Sequence, residues 1–294
     1  MLTFQQLLDS KKLTETQINK EWINLSKKEC KENKKCFTGN KILYHYQFKE
    51  LLKTKRDVKN YLTMEEIFND PTQKKIWIDN TIKADRIKKN DFITSNCVFE
   101  CYRLYKGSIN FFKPFTTKYL CKRFNASSVL DPTAGWGGRL LGARSLNLQY
   151  TGIDTNINLK EGYDEMIKRF GGAMIYDSCL DVDFSKINYD FVLTSPPYIN
   201  IEKYSNMPLF ESNEKYYKEF LIPLINKCLK YIKVKNKESY VCINISNYMY
   251  EDYLRYGGLE CDETIDLQQQ MGGKPNKEVI YVWTKKQKII KIKK

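Results

Sequence analysis

The sequence predicts an open α/β sheet ending in an antiparallel hairpin and preceded by a helical, lysine-rich region. Three observations carry this. Up to about residue 105, apolar residues recur three or four apart, the spacing of one helix face. From about residue 108, short runs of Val, Ile, Leu and Tyr alternate with helical stretches, as a parallel sheet with crossover helices requires. The last two extended stretches, near 259–268 and 278–284, are joined by "GGKPN", whose glycines, proline and asparagine suit a chain reversal. Two regions are expected, a basic helical one over residues 1–105 and a sheet domain over 106–294.

In chain order, "FQQLLDSKKL", "TETQINKEWINLSKK", "YQFKELLKTKRDVKNYL" and "MEEIFND" read as helices. Thr63 is placed to cap the last of these, with Glu66 three residues on completing a capping box. The second part reads as strand 127–131 (SSVLD), a helix near 138–146, strand 149–154 (QYTGID) and a helix over 158–169. It continues as strand 173–176 (AMIY), strand 190–194 (DFVLT), a helix over 214–232, strand 239–245 (SYVCINI) and the closing pair.

The chain has 294 residues, 42% of them hydrophobic, enough for a sizeable core. No run approaches the ~18 apolar residues of a membrane span. The start "MLTFQQLLDSKK" lacks the charged and apolar regions of a secretion signal, so an intracellular protein is expected. The formal charge of +14 suits a polyanionic partner, although only eight of the 49 basic residues are arginine and an A·T-rich coding sequence would also favour lysine. Nine cysteines without a Cys-x-x-Cys pair, and a single histidine, His45, point to free thiols rather than disulfides or a metal site.

The run "SSVLDPTAGWGGRLLGA" places Asp131-Pro132 and then Gly135, Gly137 and Gly138 between a strand and a helix. Ligands of open α/β sheets sit beyond the carboxyl ends of the strands, and glycines there let the backbone approach a ligand closely. A dinucleotide fingerprint would need a further glycine where Leu140 stands, which disfavours NAD. The next strand ends at Asp154, where a carboxylate can accept hydrogen bonds from both hydroxyls of a ribose. Asp177 and Ser178 follow the third strand and could meet an adenine amine.

The fourth strand runs into Ser195-Pro196-Pro197-Tyr198. Consecutive prolines fix two φ angles and remove two backbone donors, leaving carbonyls without a competing N–H. The Ser195 hydroxyl and the Pro196 carbonyl would suit a group with two N–H donors, and Tyr198 offers a face for a planar group to stack on. A turn or a polyproline recognition segment is the simpler reading of such a motif in isolation.

Together these motifs resemble the class I, S-adenosylmethionine-dependent amino methyltransferases, most of all those modifying cytosine N4 or adenine N6 in DNA. The family's Asp-Pro-Phe-x-Gly-x-Gly matches Asp131, Pro132, Gly135 and Gly137, with Thr133 in place of phenylalanine and Trp136 between the glycines. Its strand-ending acid matches Asp154, and its (Asp/Asn/Ser)-Pro-Pro-Tyr matches Ser195 to Tyr198. The resemblance covers about residues 108–285 and implies a Rossmann-like sheet with S-adenosylmethionine as cofactor. It implies cofactor contacts from Asp131, Pro132, Thr133, Ala134, Gly135, Trp136, Gly137, Asp154, Thr155, Asp177 and Ser178. In "FFKPFTTKYL" it adds Phe115 and Thr116, where permuted members carry a further cofactor motif. Ser195, Pro196, Pro197 and Tyr198 take the catalytic role, without a metal.

A nucleic-acid partner, most readily DNA, is implied, with the base extruded into the crevice. Serine at the first position favours cytosine N4 over adenine N6. An RNA base, a protein glutamine amide, or an inactive nucleic-acid-binding relative remain alternatives. No recognition insert is visible, so sequence reading would fall to the basic N-terminal region, to the loop 199–213 with Tyr204 and Phe210, or to residues 272–277.

Overall fold

The structure is a computed structural model that describes residues 2–30, 36–54, 61–83, 94–106, 109–198, 210–235, 237–267 and 278–287. Tyr204 and the turn at 272–277 lie outside the described residues.

Strands β1 (Ser128–Asp131), β2 (Gln149–Asp154), β3 (Ala173–Tyr176), β4 (Phe191–Thr194), β5 (Glu238–Ser246), β6 (Glu263–Leu267) and β7 (Glu278–Lys286) form one sheet. Its order is β3-β2-β1-β4-β5-β7-β6. The pairs from β3 through to β5 are parallel, while β7 runs antiparallel to both β5 and β6. This is the Rossmann-like open sheet of the class I methyltransferase fold, with the terminal hairpin that the sequence predicts.

Strict alternation along the strands divides the core in two. Val129, Phe191, Leu193, Cys242, Ile280 and Val282 face one layer. Leu130, Val192, Val241, Ile243, Ile245, Val279, Tyr281 and Trp283 face the other. A parallel sheet covered on both faces needs continuous apolar strands, and β1 and β4 are buried along their whole length. The first face carries α7 (Pro114–Arg123), α8 (Gly138–Arg144) and α9 (Lys160–Phe170). The second carries α11 (Ile222–Tyr231) and α12 (Asn247–Arg255). At the amino edge, buried Asp190 takes the backbone N–H groups of Ser127 and Ser128, each at 3.0 Å, and pins the start of β1 beside β4.

The N-terminal helices are α1 (Phe4–Asp9), α2 (Glu15–Lys27), α3 (Asn40–Lys53), α4 (Met64–Asn69), α5 (Pro71–Lys83) and α6 (Ser95–Lys106). The Thr63–Glu66 capping box is present, and Thr3–Gln6 and Thr14–Gln17 form two more. Leu25, Leu43, Phe48 and Phe99 from this region belong to the same apolar cluster as α7, α8 and α9. Lys118, 1% exposed on α7, donates to the carbonyls of Leu25, Ser26 and Lys28 at 2.6, 2.7 and 2.8 Å, closing the end of α2.

Among the described residues four helices escape the periodicity reading: α5, α6, α7 and α12. In α12 the tyrosines at 248, 250 and 253 blur the apolar face, although Ser246 caps its start and Gly257, at φ +97°, follows its end. The helix expected over 214–232 is also more particular than expected. It runs from α10 (Asn213–Lys215) through a π-helical stretch, Tyr216–Leu221, into α11. Among the described residues no helix is long and apolar enough to cross a membrane, and no group of His, Cys, Asp or Glu could hold a metal ion. All nine cysteines are free thiols.

Candidate active site

Between β1 and β4 the order of connection reverses, β1 leading outward to β2 and β4 leading the other way to β5. In open α/β sheets this reversal opens a crevice at the carboxyl edge. The glycine turn after β1 and the proline turn after β4 stand on its two sides.

Asp131 ends β1 fully buried. Its carboxylate receives the Arg139 Nε at 2.7 Å, the Tyr150 hydroxyl at 2.8 Å and the Thr194 hydroxyl at 2.8 Å. Arg139, 4% exposed, also reaches the Thr133 carbonyl, and its guanidinium lies 5.1 Å from the centre of the Phe112 ring. Thr194 commits its only proton to Asp131, so it accepts from the Thr133 N–H at 3.1 Å and from the Thr133 hydroxyl at 2.6 Å. The two turns that flank the crevice are thus joined by one buried polar lattice, and Asp131 serves as its centre rather than as an open carboxylate.

The glycine turn is held from below. The hydroxyl of fully buried Tyr163 points at the Ala134 and Gly135 carbonyls (3.1 and 2.9 Å), and the Ala134 N–H binds the Ile153 carbonyl at 2.9 Å. The glycines divide into two roles. Gly135 has φ +56°, and a Cβ there would meet nothing closer than the Arg139 Nη2 at 3.9 Å, leaving room above the backbone. At Gly137, with φ +90°, a Cβ would strike the Met166 Cε at 2.7 Å, and at Gly138 the Phe112 carbonyl at 1.8 Å, so these two serve close packing.

Asp154 ends β2 half-buried, accepting the Gly135 N–H at 2.7 Å on one oxygen and the Asn156 N–H at 2.9 Å on the other. Each oxygen keeps a lone pair. Burial pushes the carboxyl above its usual value, with the Asn156 and Gly135 N–H groups pulling it back. Open space at Gly135 beside a strand-tip carboxylate with spare acceptors fits the ribose of a nucleoside-containing cofactor. Thr155, exposed, follows directly. Asp177 lies one step beyond Tyr176, the register partner of Asp154, so it shares this edge. It is exposed and accepts the Ser178 N–H, while the Ser178 hydroxyl accepts from the Leu180 N–H.

The Trp136 ring, 7% exposed, turns into the core against Phe111 at 5.6 Å. Pro132 and Ala134 are buried in the turn itself. Phe115 and Thr116 are buried in the first turn of α7. The contact of that segment with the glycine turn runs through Phe111 and Phe112 instead.

Across the crevice, the Ser195 hydroxyl lies 3.3 and 3.4 Å from the backbone and side-chain oxygens of buried Asn244. The Asn244 amide is fixed by its bond to the Val279 carbonyl at 3.2 Å. Pro196 is buried and Tyr198 half-buried against the second apolar layer. The row of free carbonyls is shorter than the two prolines suggest, because the Pro197 carbonyl accepts the Tyr216 hydroxyl at 2.9 Å. Arg139, Tyr150, Tyr163, Thr194, Tyr216 and Asn244 went unseen in the sequence. Only Arg139 and Thr194 left a trace there, as polar residues next to the motifs.

No family model and no curated protein sequence matches the chain. Among solved structures it is similar to an rRNA methylase from Streptococcus thermophilus, with 14% identity, 62% of this chain and 100% of the other covered, and a TM-score of 0.41. It is also similar to TrmN from Thermus thermophilus, with 14% identity, 59% and 49% covered, and a TM-score of 0.42. An RNA methyltransferase from Salinibacter ruber in complex with S-adenosyl-L-homocysteine gives 15% identity, 62% and 97% covered, and a TM-score of 0.38. Likenesses this distant transfer neither substrate nor cofactor, and the fold stands on its own strand order.

Proposed function

We propose that the chain is an S-adenosylmethionine-dependent methyltransferase acting on the exocyclic amine of a nucleic-acid base, with DNA as the polymer and cytosine N4 favoured over adenine N6. The observation that carries this reading is the pairing of Ser195-Pro196-Pro197-Tyr198 with the Gly135–Asp154 turn across the reversal between β1 and β4. The net charge of +14 is consistent with a polyanionic substrate.

On this reading Asp154 accepts the ribose hydroxyls, Gly135 gives the cofactor room, and Asp177 and Ser178 stand toward its adenine. S-adenosylmethionine, when bound, supplies a methyl group on a positively charged sulfur. The chain's own work is positional. The Ser195 oxygen and the Pro196 carbonyl accept the two N–H bonds of the target amine and hold its nitrogen lone pair toward the donor, while Tyr198 supports the base plane. Alignment of this kind is worth effective molarities of roughly 10⁵ to 10⁸ M. The nitrogen, cationic once it carries the methyl group, loses one of its own N–H protons to water, so no general base is required.

The test is incubation with labelled S-adenosylmethionine and duplex DNA, single-stranded DNA, RNA or protein, followed by mass analysis of nucleosides and amino acids. N4-methylcytosine in DNA is expected. Label confined to RNA or to glutamine would move the substrate, and absence of label everywhere, with the cofactor bound, would overturn the enzymatic reading.

A further inference from the structure

We infer that Tyr216 is a positioning residue for the Ser195-Pro196-Pro197-Tyr198 turn, anchoring its backbone through the Pro197 carbonyl. This rests on the reading of that turn as the amine-gripping element.

Tyr216 is fully buried, and its hydroxyl donates to the Pro197 carbonyl at 2.9 Å. Proline has no N–H, so a carbonyl is the only polar handle by which the backbone at Pro197 can be anchored. A buried tyrosine hydroxyl needs a partner in turn, so each group satisfies the other. The same ring meets Phe210 edge-on, centroids 5.3 Å apart and planes at 90°, and lies 5.4 Å from Phe220. Phe210 is the first described residue after 199–209. One side chain therefore contacts both Pro197 and Phe210.

The π-helical stretch is what aims it. Tyr216, Tyr217, Phe220, Leu221, Leu224, Ile225 and Cys228 are all buried, in a repeat of four. An α-helix turns about 100° per residue, so each step of four would carry the buried face about 40° further round. The wider turn over Tyr216–Leu221 keeps that face on the sheet with Tyr216 under Pro197. Single π-turns of this kind concentrate at functional sites.

On the proposed reading the amine is held by the Ser195 oxygen and the Pro196 carbonyl, while the Pro197 carbonyl anchors the turn through Tyr216.

The test uses Tyr216→Phe, which keeps the ring and removes only the hydroxyl, in the full chain. On the polymer that the wild-type protein methylates, kcat is expected to fall roughly tenfold to hundredfold. The cofactor Kd should stay within about twofold and the melting midpoint within about 3 °C. Deuterium uptake by a peptide spanning residues 191–210 should rise, with α11 unchanged. A kcat within about twofold of wild type would overturn the inference. So would retained activity in Tyr216→Phe with collapse of Tyr216→Leu, which would make the ring mere packing. If the wild-type protein methylates no nucleic acid, it is the functional reading that fails, and the exchange comparison alone decides the positioning role, with unchanged uptake refuting it.

Discussion

Replacing Arg139 by methionine keeps most of the aliphatic volume and removes the guanidinium. It leaves the Asp131 carboxylate fully buried with two neutral donors, the Tyr150 and Thr194 hydroxyls, each at 2.8 Å. Breaking a buried ion pair from one side costs about 3–5 kcal/mol. The surviving hydroxyls place the loss near the lower end, and the orphaned Thr133 carbonyl adds about 1 kcal/mol. A total of about 3–4 kcal/mol corresponds to a melting midpoint lower by roughly 10 °C for a chain of this size. The assay is urea and thermal unfolding of wild type, Arg139→Met, Asp131→Asn and the double variant. With no stranded charge, the double variant should lie well above the sum of the singles, with a coupling energy of at least about 1.5 kcal/mol. A single variant within about 1 kcal/mol of wild type, or strict additivity, would refute the account of this lattice.

Ser195→Ala should remove methyl transfer while leaving the cofactor Kd within about twofold, measured by calorimetry; retained turnover would take Ser195 out of amine binding. Asp154→Asn should weaken cofactor binding and flatten its pH dependence. In the wild type, affinity should fall as pH is lowered through the raised Asp154 value, starting above the ordinary 3.8, because the charged form accepts the hydroxyls. The stability contribution has its own sign: an acid with a raised folded value favours the fold below its unfolded value and loses that contribution as pH rises through the folded one. Lys118→Met strips donors from three carbonyls at the end of α2 and should cost about 2–4 kcal/mol in urea unfolding. Removal of residues 1–105 should abolish cooperative unfolding of the remaining sheet, read by circular dichroism, because Phe111 and the outer faces of α7 and α9 would lose their cover.

The strands were legible because alternation and β-branched runs are local properties. QYTGID at 149–154 and AMIY at 173–176 coincide with β2 and β3 residue for residue, and the others differ by a residue at either end, apart from the fringes of the last pair. The glycine and proline turns were legible for the same reason, since Gly135 at φ +56° and two consecutive prolines are backbone requirements written into residue type. Their meeting across one crevice also followed, once parallel strands put both at the carboxyl edge.

What the sequence could not say is which polar groups are consumed inside the fold. Asp131 reads as a ligand-facing acid, yet Arg139, Tyr150 and Thr194 converge on it from α8, β2 and β4, a convergence that depends on strand order. Trp136 reads as a neighbour of the cofactor, yet Phe111 draws it into the core. Nothing local sets Lys118 apart from the other lysines, yet it caps a helix roughly ninety residues earlier in the chain. The N-terminal helices read as a separate basic region, and only packing shows that their apolar stripes complete the layer over α7, α8 and α9. Local pattern determines elements and turns; partners distant in the chain are decided by the sheet that brings them within hydrogen-bonding reach.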